Sequence, residues 1–173
     1  WYKRNRINEI IEHDGYLWLA SMHGLGRFNP ITGKSEWFIP NEKREGLNAG
    51  QVMSLLTDEK GNLWVGTIHG GLFYFEVDSL QFTKQYYHSS NPNSLSNDNV
   101  KSLYRNSKGQ LFIATEEGGI NILNEQTGQF NHLRFSANDE HSLSSDDVVA
   151  FFEDSKGRFW VGTINGGLNL YDS

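Results

Sequence analysis

An all-β fold of the β-propeller type is predicted by three features of the 173-residue sequence. One block of strand-forming residues occurs four times. Glycine-bearing turns punctuate each block at fixed places. No stretch carries the 3.6-residue apolar period of an amphipathic helix.

The four blocks are GYLWLASMHGLGRF (15–28), GNLWVGTIHGGLFYF (61–75), GQLFIATEEGGINIL (109–123) and GRFWVGTINGGLNLY (157–171). Their first glycines, Gly15, Gly61, Gly109 and Gly157, stand 46, 48 and 48 residues apart. Trp18, Trp64, Phe112 and Trp160 keep the same step, as do Val52, Val100 and Val148, and Leu47, Leu95 and Leu143. A self-similar period of this length marks a propeller blade, since a β-solenoid coil uses fewer residues.

The second repeat shows the elements in order. Strand a is 52–56 and a Gly-containing hairpin turn spans 58–62. Strand b is 63–67, the turn His69-Gly70-Gly71 follows, strand c is 72–75 and strand d is 82–87. Strands a to c are apolar on both alternating faces, as sheets covered on both sides must be. Strand d is more polar and suits an outer rim. Ala20, Gly66, Ala114 and Gly162 leave room in strand b for a neighbouring blade's side chains. The expected architecture is about four blades of four antiparallel strands in one segment, 1–173. Its repeats are approximately 1–46, 47–94, 95–142 and 143–173. The last repeat lacks its outer strand, so the segment reads as part of a larger propeller, such as a seven-bladed one. Trp1-Tyr2-Lys3 reads as the start of strand a or the loop before it.

Composition narrows the function classes. Aromatic residues at 13% and 18 glycines suit strands and tight turns. A net charge of −6 argues against a nucleic-acid surface. The absence of cysteine excludes a disulfide framework and a Cys-based zinc site. No apolar run is long enough to span a membrane.

The words LWVGT, GGL and NSLSSDDV-like loops resemble the two-component regulator propeller repeat. Asp58, Gly61, Leu63 to Thr67 and Gly70-Gly71-Leu72 match its pattern, as do Asp154, Gly157, Phe159 to Thr163 and Gly166-Gly167-Leu168. The third repeat departs with Asn106 and Phe112, and the first with Gly24-Leu25-Gly26. The resemblance implies the extracytoplasmic sensor region of a hybrid two-component system of Bacteroidetes, periplasmic and non-catalytic. It further implies an oligosaccharide ligand, and a membrane helix and histidine kinase elsewhere in the protein; self-association as a dimer that relays the change is expected of such a sensor segment. No cofactor and no nucleic-acid contact are expected.

The framework is nearly constant, whereas one position in the b–c turn varies: His23, His69, Glu117 and Asn165. Long d–a loops emerge on the same side and carry His88 and His141. Variable positions on a rigid scaffold are where binding sits, so these six residues are the candidate ligand contacts. Trp37, Tyr86 and Tyr87 on strand d are candidates for exposed aromatic surface, and Trp18, Trp64 and Trp160 for inter-blade core. The loops NSLSNDN (93–99) and HSLSSDD (141–147) offer oxygen ligands for calcium, but without EF-hand spacing. Their Ser, Asn and Asp are expected to hydrogen-bond the turn backbone instead. The six scattered histidines show no zinc-like spacing. Two other function classes remain: a protein-interaction propeller, and part of a polysaccharide-active enzyme or a propeller lyase.

Overall fold

A computed structural model describes residues 6–40 and 50–172. Leu47 and the Trp1-Tyr2-Lys3 segment lie outside the described residues. The fold is an all-β propeller, and each sheet is one antiparallel blade. Blade 1 comprises β1 (Ile7–His13), β2 (Tyr16–Ser21), β3 (Gly24–Phe28) and β4 (Ser35–Phe38). Blade 2 comprises β5 (Val52–Thr57), β6 (Leu63–Thr67), β7 (Leu72–Glu76) and β8 (Gln81–Tyr86). Blade 3 comprises β9 (Val100–Arg105), β10 (Leu111–Thr115), β11 (Gly119–Asn124) and β12 (Gln129–Leu133). Blade 4 comprises β13 (Val148–Glu153), β14 (Phe159–Thr163) and β15 (Gly167–Tyr171). Strand b of blade 2 has the limits read from sequence, strands a and c run one residue longer, and strand d begins and ends one residue earlier.

The chain divides into two compact units, residues 1–85 and 86–173. In the first, Trp18, Ala20 and Leu25 of blade 1 bury against Leu55, Val65, Phe73 and Phe75 of blade 2. The Trp18 and Phe75 rings meet edge-on at 5.6 Å. Glu9 Oε2 accepts the Leu55 amide at 2.7 Å, tying β1 to β5. In the second unit, Phe112, Ala114 and Ile120 of blade 3 pack on Phe159, Val161 and Phe151 of blade 4. The Phe112 and Phe159 centroids lie 4.5 Å apart. The Ser107 amide donates to Glu153 Oε2 at 2.7 Å, so the hairpin of blade 3 leans on strand a of blade 4.

In blades 2, 3 and 4 the a–b hairpin is held by one side-chain oxygen. Asp58 Oδ1 accepts the amides of Lys60 and Asn62, and Asp154 Oδ1 those of Lys156 and Arg158. Asn106 Oδ1 does the same for Lys108 and Gln110. The departure at Asn106 therefore keeps the acceptor that the turn needs and changes only the charge.

Strand a of every blade carries a bulge that periodicity does not reveal. Val52 pairs with Thr67 and Ser54 with Gly66, so Met53 is skipped. The same slip skips Asn8, Lys101 and Val149 in the other blades. A bulge turns one side chain out of the alternation and twists the strand.

One core assignment needs correcting. Trp18 and Trp64 are buried, but Trp160 is only half-buried. It shares its face of blade 4 with Phe152, Leu168 and Leu170, which are exposed. Its indole instead donates to Asp154 Oδ2 at 3.0 Å, under the Arg158 guanidinium.

Candidate ligand face at the b–c turns

Within each blade the turn between strands b and c returns to the start of strand a. The amide at the turn's first residue bonds the carbonyl that precedes strand a. Met22 bonds Arg6, Ile68 bonds Gln51, Glu116 bonds Asn99 and Ile164 bonds Asp147. The d–a loop and the b–c turn of one blade thus open together, as the antiparallel weave requires.

The variable position is exposed in all four turns. His69, Glu117 and Asn165 hold left-handed backbone, with φ of 63°, 50° and 64°. Non-glycine residues seldom adopt this region, and Asn and His are the more tolerant ones. The first turn is one residue shorter, so the positive φ falls on Gly24, and His23 lies outside the left-handed set. A side chain at Gly24 would run into the Phe38 carbonyl. The His23 amide donates to Ser21 Oγ at 3.1 Å.

In the second unit the structure brings two candidates to one residue. Asp147 Oδ1 accepts the Glu117 amide at 3.4 Å, and its carbonyl accepts Ile164 at 2.8 Å, beside Asn165. Next to Glu117, Glu116 pairs with Lys101 at 2.8 Å and accepts Asn99 Nδ2 at 2.6 Å. Lys101 is the bulge residue of its blade, so the bulge aims the ammonium at the turn. The sequence reading passed over Lys101, Glu116 and Asp147 as binding groups. A signal was present, since Lys101 follows Val100 at the place of Met53 and Val149.

The other two candidates sit differently. The His88 ring nitrogen Nδ1 lies 3.1 Å from the Leu95 carbonyl, and its amide donates to Asp98 Oδ1 at 2.6 Å. It therefore braces its own loop. The His141 side chain is 89% exposed, and it borders a cavity of about 730 Å³ beside blade 4.

The polar loops are occupied by backbone bonds, as expected. Asn97 Oδ1 accepts the Asn99 amide, and Ser145 Oγ that of Asp147. Asp146 Oδ1 accepts Phe135 at 2.7 Å. Leu95 and Leu143 are buried beneath the loops. Buried Asn121, missed in an apolar strand, accepts the Ser96 amide at 2.8 Å and donates to Thr115 Oγ1 at 3.2 Å. Asn169 repeats the bond with Ser144 at 2.9 Å. Of the strand d aromatics, Tyr87 is exposed, whereas Tyr86 packs edge-on to Phe130 and Trp37 covers Gly26.

The shifted titrations belong to the hairpin ends. Burial, then its hydrogen bond to Asp58, pushes the Tyr74 phenol up to about 12. The Trp160 indole, with the amides of Arg158 and Lys156, holds the Asp154 carboxyl well below the usual carboxylate range. Hydrogen bonds from Ser107 lower Glu153. These shifts follow from structural bonds and mark no acid–base pair.

Residues 46–69 and 142–165 match the family model described as two component regulator propeller. Two solved structures from B. thetaiotaomicron resemble the chain. One, described as the extracellular domain of a one component system, has 28% identity and a TM-score of 0.76. It aligns over 96% of this chain and 22% of its own. The other, described as the extracellular domain of a hybrid two component system, has 25% identity and a TM-score of 0.78. It aligns over 97% of this chain and 22% of its own. The chain spans about a fifth of the length of these structures. A catalytically inactive virginiamycin B lyase from Staphylococcus aureus aligns at 13% identity and a TM-score of 0.67, over 99% of this chain and 57% of its own. That likeness shows the fold alone. No curated protein matches the chain.

Proposed function

Because the chain carries two component regulator propeller repeats, we propose that it belongs to the extracytoplasmic sensor region of a hybrid two-component regulator. On this reading it is non-catalytic, lies in the periplasm and binds an oligosaccharide released by polysaccharide breakdown. It works as a dimer that relays occupancy to a histidine kinase elsewhere in the protein. One observation carries the reading. The position that varies among the b–c turns is exposed in every blade, and three of four blades hold it in left-handed backbone that glycine would adopt more easily. Backbone strain kept at an exposed variable position points to a role for the side chain. His23, His69, Glu117 and Asn165 supply polar contacts, His141 adds an imidazole at the loop, and His88 keeps its loop in shape.

Calorimetry with a panel of glycans tests this. The combined variant His23→Ala, His69→Gly, Glu117→Gly, Asn165→Gly keeps the backbone conformation accessible. It should lose roughly tenfold or more in affinity for whichever glycan binds the parent. Undiminished affinity would remove the b–c turns from the site.

A further inference from the structure

Of the asparagines in the chain, Asn165 alone precedes a glycine. The turn favours both halves of that pair. A side chain at Gly166 would meet Ser144 Oγ at 2.5 Å and Thr163 Oγ1 at 2.6 Å. The same hydroxyls, Ser96 and Thr115, close in on Gly118 in the third blade. Residue 165 holds φ of 64°, which asparagine tolerates better than most side chains. This turn position is exposed in every blade. Among the described residues, neither the Asn165 side chain nor the Gly166 amide makes a hydrogen bond. The Gly118 amide, by contrast, donates to the Thr115 carbonyl at 3.3 Å. Asn106, followed by the small Ser107, is the opposite case. Its Oδ1 accepts the Lys108 and Gln110 amides, and its Nδ2 donates to Gln110 Oε1 at 2.9 Å. The Ser107 amide is held by Glu153 Oε2 at 2.7 Å.

We propose that Asn165 is a site of spontaneous deamidation at the tip of the fourth b–c turn. The Gly166 amide gives its proton to hydroxide, and its nitrogen attacks Asn165 Cγ. The N–Cγ bond forms, the Cγ–Nδ2 bond breaks, and ammonia leaves with a proton taken from water. The product is a succinimide ring. Water opens it at either carbonyl and leaves aspartate or isoaspartate at position 165. No oxidant or reductant is needed. Ring closure requires the Gly166 nitrogen to swing toward Cγ. A left-handed, exposed tip leaves its conformation readily, and glycine puts no side chain beside the attacking nitrogen. His69, at the equivalent position, has no side-chain carbonyl, and Glu117 would have to close a larger ring. The step adds one negative charge to a chain that carries −6. That charge lands beside Asp147, whose carbonyl accepts the Ile164 amide. Isoaspartate also lengthens the turn backbone by a methylene. The chemistry holds whether or not this face binds a glycan.

The test ages the folded chain in mildly alkaline buffer and follows it by peptide mass spectrometry with fragmentation. Asn165 should convert to the acid roughly tenfold or more faster than Asn106. The rate should rise with pH, and the product should separate into aspartyl and isoaspartyl peptides. Asn165→Gln should slow conversion at this position roughly tenfold or more. In urea, Asn106 should accelerate, whereas Asn165 should change by no more than roughly a few-fold, because its turn offers little protection to lose. An Asn165 that stays intact in the folded chain and reacts in urea would overturn the proposal. Equal rates at Asn165 and Asn106 in the folded chain would overturn it as well.

Discussion

The two faces of blade 4 are built from alternate residues of the same three strands and meet different fates. Phe151, Phe159, Val161 and Tyr171 point to blade 3 and pack on Phe112. Phe152, Trp160, Leu168 and Leu170 point the other way, and three of the four are exposed, Phe152 at 62% and Leu168 at 68%. Both faces are apolar, so composition did not decide which is core. Burial follows from the neighbour that each face meets. An exposed apolar face of this kind marks an interaction surface.

The contrast is broken most severely on its packed side. Phe112→Ala should destabilise the second unit by about 3–5 kcal/mol, because the ring is fully buried against three aromatic neighbours, Phe151, Phe159 and Tyr171. Trp64→Ala should cost a similar amount in the first unit, since Trp64 is 2% exposed. Trp160→Ala, in the same word of the repeat, should cost about 1 kcal/mol or less in urea denaturation. Equal losses at Trp64 and Trp160 would mean that the two faces are packed alike.

Polar replacements give smaller effects. Asn121→Ala leaves the Ser96 amide without its acceptor and should cost about 1–3 kcal/mol. Asn169→Ala, on the exposed counterpart, should cost less.

The smallest effects are in the pH dependence. The Asp154 carboxyl titrates below its unfolded value of about 3.9. Its bonds therefore stabilise the hairpin above that pH and are lost as pH falls toward the folded value. Melting temperatures of Asp154→Asn and the parent should converge on acidification. Tyr74 moves the other way, from about 10 unfolded to about 12 folded. Its contribution is complete below about pH 10 and lost as pH rises to about 12. Phenolate absorbance should show one tyrosine ionising last, and Tyr74→Phe should remove it.

The fold was legible because propeller blades repeat their turns as well as their strands. Gly61, Asp58 and the LWVGT word fix a hairpin locally, and the 48-residue step places the next one. The bulges at Asn8, Met53, Lys101 and Val149 were not legible, because one skipped residue leaves the apolar alternation readable on either side. Trp160 was misplaced for a related reason. Its word is the same as that of Trp64, and a word specifies the strand but not the neighbour that covers it. The six candidate contacts were found as exposed turn and loop positions. The left-handed backbone that singles out His69, Glu117 and Asn165 depends on a turn one residue longer than that of His23, and the φ values themselves become visible only in the folded turn.

The neighbouring pair Phe151 and Phe152 tests the two-faced blade most directly, since one residue type at consecutive positions points to opposite faces. Urea denaturation of Phe151→Ala should show a loss of about 2–4 kcal/mol, as truncation of a packed ring does. Phe152→Ala should stay within about 0.5 kcal/mol of the parent, as surface substitutions do. Comparable losses from the two substitutions would contradict the assignment of one face as core and the other as open surface.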